Sequence, residues 1–185
     1  KEVVEERLED YNVEPGMISM NLVLFRDALL HVARIHRVLK QPRGNAMLVG
    51  VGGSGRQSLS RLAAYCAQDA DENPMGVFMI EITKQYRMME FRDDMKRLYL
   101  QCGVDNKQTV FLFNDTQVKE AGFLEDINNI LSSGEIPGLF EKEEIVPIFD
   151  AIRAAATAAN VVETPDMLWR FFIDRVRENM HIVLC

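Results

Sequence analysis

Apolar positions change their spacing several times along this chain, and each change marks an element. Residues 1–20 open with charge and then carry Asn12, Pro15 and Gly16, the composition of an approach segment. From Asn21, the residues Phe25, Ala28, Leu29, Val32, Ile35 and Leu39 recur at helical spacing and predict a helix to about Lys40, stopped by Pro42 and Gly44. The run Ala46-Met47-Leu48-Val49 reads as a short buried strand. A glycine loop follows, then a helix to about Asp69 and a turn at Asp71-Glu72-Asn73-Pro74. Val77–Ile82 is apolar at nearly every position, as a parallel strand covered on both faces would be. Beyond it the pattern predicts a helix over Tyr86–Gln101, a strand over Thr109–Phe113, a helix over Phe123–Leu131 and a turn at Ile136–Phe140. A helix from Ile145 to about Ala159 follows, with Pro147 in its first turn. After a connector at Val161–Thr164, the residues Thr164-Pro165-Asp166 start a helix over Met167–Met180, and Ile182–Cys185 is a fourth strand.

Strands alternating with helices predict an α/β fold with a parallel sheet and right-handed crossovers. An end inside a buried strand predicts that these 185 residues are a piece of something longer. There is no internal repeat and no low-complexity tract.

Composition narrows the function without naming it. Hydrophobic content of 48% beside 26% charged residues is that of a folded domain able to bury a core. No apolar stretch approaches the roughly 20 residues that span a bilayer, so no membrane role is expected, and the charged start is no signal peptide. A net charge of -7 argues against a nucleic-acid surface, which needs clustered Lys and Arg. Cys66, Cys102 and Cys185 lack metal-ligand spacing and read as buried thiols, while His31, His36 and His181 read as ordinary surface or core residues.

The candidate chemistry lies in Gly50-Val51-Gly52-Gly53-Ser54-Gly55-Arg56-Gln57-Ser58. A strand, a glycine loop and a helix form a phosphate cradle, because backbone N–H groups must turn inward around oxygens at dihedrals and distances that a Cβ obstructs. The helix then aims its free N-terminal donors at the same anion. The loop keeps the outer glycines of G-x-x-x-x-G-K-[ST] but carries Arg56 for lysine and Gln57 for the magnesium-binding hydroxyl. A cation in the first turn of a helix is disfavoured by roughly 0.3–1 kcal/mol unless an anion sits beside it, so Arg56 itself argues for bound phosphate. Gln57 offers only a neutral amide oxygen, and the hydroxyl of Ser58 is turned by about 100° from the usual direction. Impaired magnesium binding is expected, with Gln57, Ser58, Asn114 and Asp115 as the groups that could approach the ion.

The strand Val110-Phe111-Leu112-Phe113 ends in Asn114-Asp115, at the carboxyl end where ligands of open α/β sheets collect. In this register Asn114 takes the place of the acid that holds hydrated magnesium and Asp115 that of the glutamate that polarises water. One residue later, Asp115 becomes the metal-side acid and Thr116 the water-side group. Either register lacks a complete hydrolytic pair. Glu120, Glu125 and Asp126 read as a solvated helix side, Glu141, Glu143 and Glu144 as acids suited to a helix start, and Arg175 and Arg177 as surface positions.

These blocks resemble the dynein heavy chains, in particular the fourth AAA+ module of the motor ring in the axonemal type. The resemblance runs through Asn21–Arg26, Leu39–Arg43, Leu48–Leu59, Phe111–Gln117, Phe123–Leu131, Gly134–Pro137 and Phe172–Leu184. It implies a P-loop AAA+ large subdomain over residues 21–185, a parallel β-sheet flanked by helices and truncated within or just after the fourth core strand, without the small helical lid. Carried over by position, Gly50–Ser58 is the phosphate loop, Asn114-Asp115 the Walker B end, and Leu22 and Val23 lie near the adenine. The implied function is a regulatory module that binds ATP or ADP with little or no hydrolysis. The residues leave open an active magnesium-dependent ATPase using Asp115, or a ring spacer with an empty pocket. The implied partners are neighbouring AAA+ modules of the same heavy chain, with microtubule contact only through regions outside these residues. The implied location is the cytoplasm, the cytoskeleton and the ciliary axoneme.

Overall fold

A computed structural model describes residues 1–67 and 74–185, so the expected helix end near Asp69 and all of the expected turn at Asp71–Pro74 except Pro74 lie outside the described residues. In chain order the elements are α1 (Glu2–Val13), α2 (Arg26–Leu39), β1 (Ala46–Met47), α3 (Arg56–Cys66), β2 (Gly76–Phe78), α4 (Met88–Gly103) and β3 (Thr109–Phe113). A single 3-10 turn (Asp115–Gln117), α5 (Ala121–Ser132), α6 (Lys142–Ala158), α7 (Pro165–Asn179) and β4 (Met180–Leu184) complete them. The described residues form two compact units.

The first unit comprises Lys1–Met79, Gln108–Phe113 and His181–Cys185 and holds the sheet. The four strands form a parallel sheet in the order β1-β4-β3-β2, so the last strand in sequence inserts beside the first. β3 has neighbours on both sides, and all five of its residues are buried. The two edges differ from expectation. β1 is an edge strand and not a buried one: Met47 is 70% exposed, and Val49, past its end, is 91% exposed. β2 spans Gly76–Phe78 instead of Val77–Ile82 and, also at an edge, is exposed or half-buried.

α2 forms as its apolar stripe dictates, with Ala28, Val32, Ile35 and Leu39 buried at steps of three and four. It starts at Arg26 rather than Asn21. Residues 21–25 belong to no helix or strand, and Phe25 N–H closes a tight turn on the Val23 carbonyl at 3.2 Å; Met20 and Leu24 are buried while Val23 is 81% and Phe25 62% exposed. Gly44 ends the stop sequence because a Cβ there would lie 1.9 Å from the Val38 carbonyl oxygen. α1 is a helix within the expected approach segment, with Leu8 and Tyr11 turned into the core; Tyr11 meets Tyr65 of α3 edge-on at 5.3 Å. His181 is a core residue whose Nδ1 donates to the Gly44 carbonyl at 2.8 Å.

The second unit comprises Ile80–Lys107 and Asn114–Met180. Phe91 stacks on Phe123 at 4.4 Å, and Tyr99, Phe140, Trp169 and Phe172 form an aromatic cluster. Two side chains depart from the surface reading. Asp126 is buried and takes two bonds from Arg92 at 3.1 and 3.2 Å, so it is no solvated helix position. Arg175 is half-buried and donates to the carbonyls of Gly103 and Val104 at 2.7 and 3.1 Å, satisfying the end of α4. α6 begins at Lys142, earlier than expected, which puts Pro147 beyond its first turn.

Candidate functional site

The phosphate loop grows out of the sheet edge. Past β1, Leu48 N–H continues the ladder by donating to the Leu184 carbonyl at 2.8 Å. The chain then leaves the sheet, because Gly53 and Gly55 adopt φ of +77° and +80°, a region that favours residues without a Cβ. A turn closes with Ser54 N–H on the Val51 carbonyl at 3.2 Å, and α3 begins when Leu59 N–H reaches the Gly55 carbonyl at 2.9 Å. Gly50, Ser54 and Arg56 are brought together: a Cβ on Gly50 would stand 3.1 Å from Ser54 Oγ and 3.7 Å from Arg56 Cδ.

The N-terminus of α3 is arranged for an anion. Gly55 occupies the N-cap without a side-chain cap, no acid lies in the first turn, and the first amides of a helix have no intrahelical partner. Gly52, Gly53 and Gly55 face open space, with no atom within 4 Å of where a Cβ would stand. Gly50–Ser54 are exposed and Gly55, Arg56, Gln57 and Ser58 half-buried, so the loop is accessible. Arg56 Nη1 donates to the Leu48 carbonyl at 3.3 Å, which folds the guanidinium back over the loop. These residues fit a phosphate group. Leu22, half-buried against the core of the first unit, and the exposed Val23 lie on the irregular stretch before α2.

In the second unit, Asn114 and Asp115 occupy the turn after β3. Asn114 is 5% exposed, while Asp115 is exposed and its Oδ1 accepts from Thr116 N–H at 2.7 Å. The adjacent pair therefore differ in kind, a buried neutral amide beside an accessible carboxylate. Together they offer one carboxylate toward a magnesium ion, which takes oxygen ligands in octahedral coordination.

Gln117 is the residue that sequence reasoning missed. It is 9% exposed, its Oε1 accepts from Asn114 N–H at 2.8 Å, and its Nε2 donates to the Ile80 carbonyl at 2.7 Å. A signal was present: Asn-x-x-Gln is a variant of the pattern in which an N-cap residue and the residue three places on satisfy each other's backbone. An open cavity of about 330 Å³ in the same unit, between α4 and α6, is lined by Leu100, Val104, Phe140 and Ile148 and contains none of the candidate residues.

Comparison with known proteins bears on this geometry directly. Residues 20–185 match the family described as the P-loop containing dynein motor region D4. Over its full length the chain is 60% identical to the Dynein-1-beta heavy chain, flagellar inner arm I1 complex, of Chlamydomonas reinhardtii and 53% identical to Dynein axonemal heavy chain 2 of Mus musculus. It is 45% identical to Dynein axonemal heavy chain 6 of Homo sapiens over 99% of the chain, and it spans 4% of the length of each of these relatives. A family match over nearly the whole chain, on a loop with phosphate-cradle geometry, means that the chain belongs to the P-loop containing dynein motor region D4 family.

Proposed function

We propose that this chain is a regulatory nucleotide-binding module of a ciliary dynein heavy chain, holding ATP or ADP with little or no hydrolysis. The observation that carries the reading is the phosphate loop: left-handed glycines at 53 and 55, an uncapped α3 N-terminus, and Arg56 in its first turn. Phosphate binding needs this backbone more than it needs a metal. Turnover needs a metal-side acid and a water-side base, and Asn114 and Asp115 are a neutral amide and a shortened acid in those places. In this reading residues 21–185 are most of an AAA+ large subdomain, residues 1–20 lead into it, and Leu22 and Val23 border the base. Its partners are the neighbouring modules of the same heavy chain in the axoneme, with microtubule contact made elsewhere in that chain.

Hydrogen exchange in the intact heavy chain tests this. ADP or ATP should slow exchange of the amides in residues 46–60, and Arg56→Ala should abolish the slowing. Unchanged exchange with both nucleotides in the unmutated protein would overturn the reading.

A further inference from the structure

Gln117 has no role in the function proposed above, yet it organises the turn that bears Asn114 and Asp115. Its amide oxygen accepts from Asn114 N–H and its amide nitrogen donates to Ile80 C=O, at 2.8 and 2.7 Å, both in buried surroundings. The bridge is reinforced locally, since Gln117 N–H donates to the Asn114 carbonyl at 3.0 Å. A neutral amide accepts through one atom and donates through the other; a carboxylate only accepts and an aliphatic side chain does neither. Ile80 lies two residues beyond β2, and the chain from there runs through Glu81–Lys84 to Tyr86 and α4. One side chain thus ties the Asn114 turn to a backbone segment 37 positions earlier in the chain.

We propose that Gln117 is a positioning residue that transmits the state of the Asn114-Asp115 turn to the segment Ile80–Tyr86. The proposal rests on the nucleotide-binding reading of this module. Asp115 is exposed, and Asn114, its neighbour, is the residue Gln117 holds. A ligand that engages Asp115 therefore stiffens or shifts a backbone whose amide is bonded to Gln117. The other end of that side chain is bonded to Ile80. Low exposure protects both bonds from competition by water, which makes the connection directional in structure and sensitive to a single atom of the side chain.

The test uses hydrogen exchange in the intact heavy chain, with magnesium and ATP or with ADP, read separately in residues 46–60 and 80–86. In the unmutated protein nucleotide should slow exchange in both. Gln117→Leu should keep the slowing in 46–60 while the response in 80–86 shrinks about fivefold, the factor that corresponds to one net hydrogen bond of about 1 kcal/mol. Gln117→Glu separates transmission from simple support of the fold. At pH 8 its carboxylate cannot donate to the Ile80 carbonyl and should behave as Gln117→Leu does. At pH 5.5 burial favours the protonated acid, which restores the donor and should recover the response. An undiminished response in 80–86 for Gln117→Leu, or equal responses of Gln117→Glu at both pH values, would overturn the proposal. Slowing in 46–60 without any in 80–86 overturns the transmission alone; no slowing in 46–60 overturns the nucleotide reading and the transmission with it.

Discussion

The side chain of Asn12 closes on both backbone polar groups of Met20: Oδ1 accepts from Met20 N–H at 2.7 Å and Nδ2 donates to the Met20 carbonyl at 3.1 Å. This pair ties α1 to the start of the irregular stretch that carries Leu22 and Val23. Asn12→Ala should destabilise the chain by about 1–2 kcal/mol, two neutral hydrogen bonds in part-buried surroundings, measured by urea unfolding. Asn12→Asp keeps the acceptor and loses the donor, so it should fall between the two, with exchange at Met20 N–H protected more than in the alanine variant.

Gly103 is a point of close approach between α4 and α7. A Cβ there would stand 2.3 Å from Phe172 Cε2 and 2.8 Å from Val176 Cγ2. Gly103→Ala should cost about 1–3 kcal/mol by overpacking, because neither helix has room to yield. Phe172→Leu in the same chain should recover part of that loss. A double-mutant cycle by denaturant unfolding reads the coupling, and strict additivity of the two changes would contradict the packing argument.

Tyr86 donates to Asp94 at 2.5 Å, and Asp94 is also paired with Arg97. Burial, and then the bond to Asp94, push the Tyr86 hydroxyl well above the ordinary tyrosine value. A raised folded-state value means that its contribution is fully present below the unfolded value of about 10 and is lost as pH rises above it. Stability should therefore decline above pH 10 more steeply in the unmutated chain than in Tyr86→Phe. At pH 7 the same substitution should cost about 1.5–3 kcal/mol, the range for a bond to a charged acceptor.

Asp115→Asn addresses turnover. In a module that holds nucleotide without hydrolysing it, this change should leave magnesium-dependent phosphate release from the module at its unmutated level. In an active ATPase the same change removes the water-side base, and release should fall by about 100-fold or more, as loss of a general base does. Single-turnover phosphate release, with the other nucleotide sites of the heavy chain disabled, distinguishes the two outcomes.

Much of this was legible from local pattern. The α2 stripe, the buried run Thr109–Phe113 and the glycine loop each depend on spacing within a few residues, and each formed where the pattern put it, α2 with a later start. The acids at the head of α6 were likewise readable, since Glu143 and Glu144 lie in its first turn. Gln117 was missed because its partner Ile80 is distant in sequence, so no periodicity announces the pair. Asp126 and Arg175 were misread for the same reason: a charged residue on a helix looks solvated until its partner, Arg92 in one case and the last carbonyls of α4 in the other, is known.

The sequence alone determined the alternation of strands and helices, the phosphate loop and the altered groups at Arg56, Gln57, Asn114 and Asp115, because backbone dihedrals and side-chain chemistry are local properties. Tertiary structure decided the sheet order, and with it which apolar strands are edges. Ala46–Val49 and Val77–Ile82 are as apolar as a central strand, but their exposure depends on how many neighbours they have, and β4 arrives from the far end of the chain to fill the place between β1 and β3. Burial is a relation between segments, so hydrophobicity read along one segment cannot supply it.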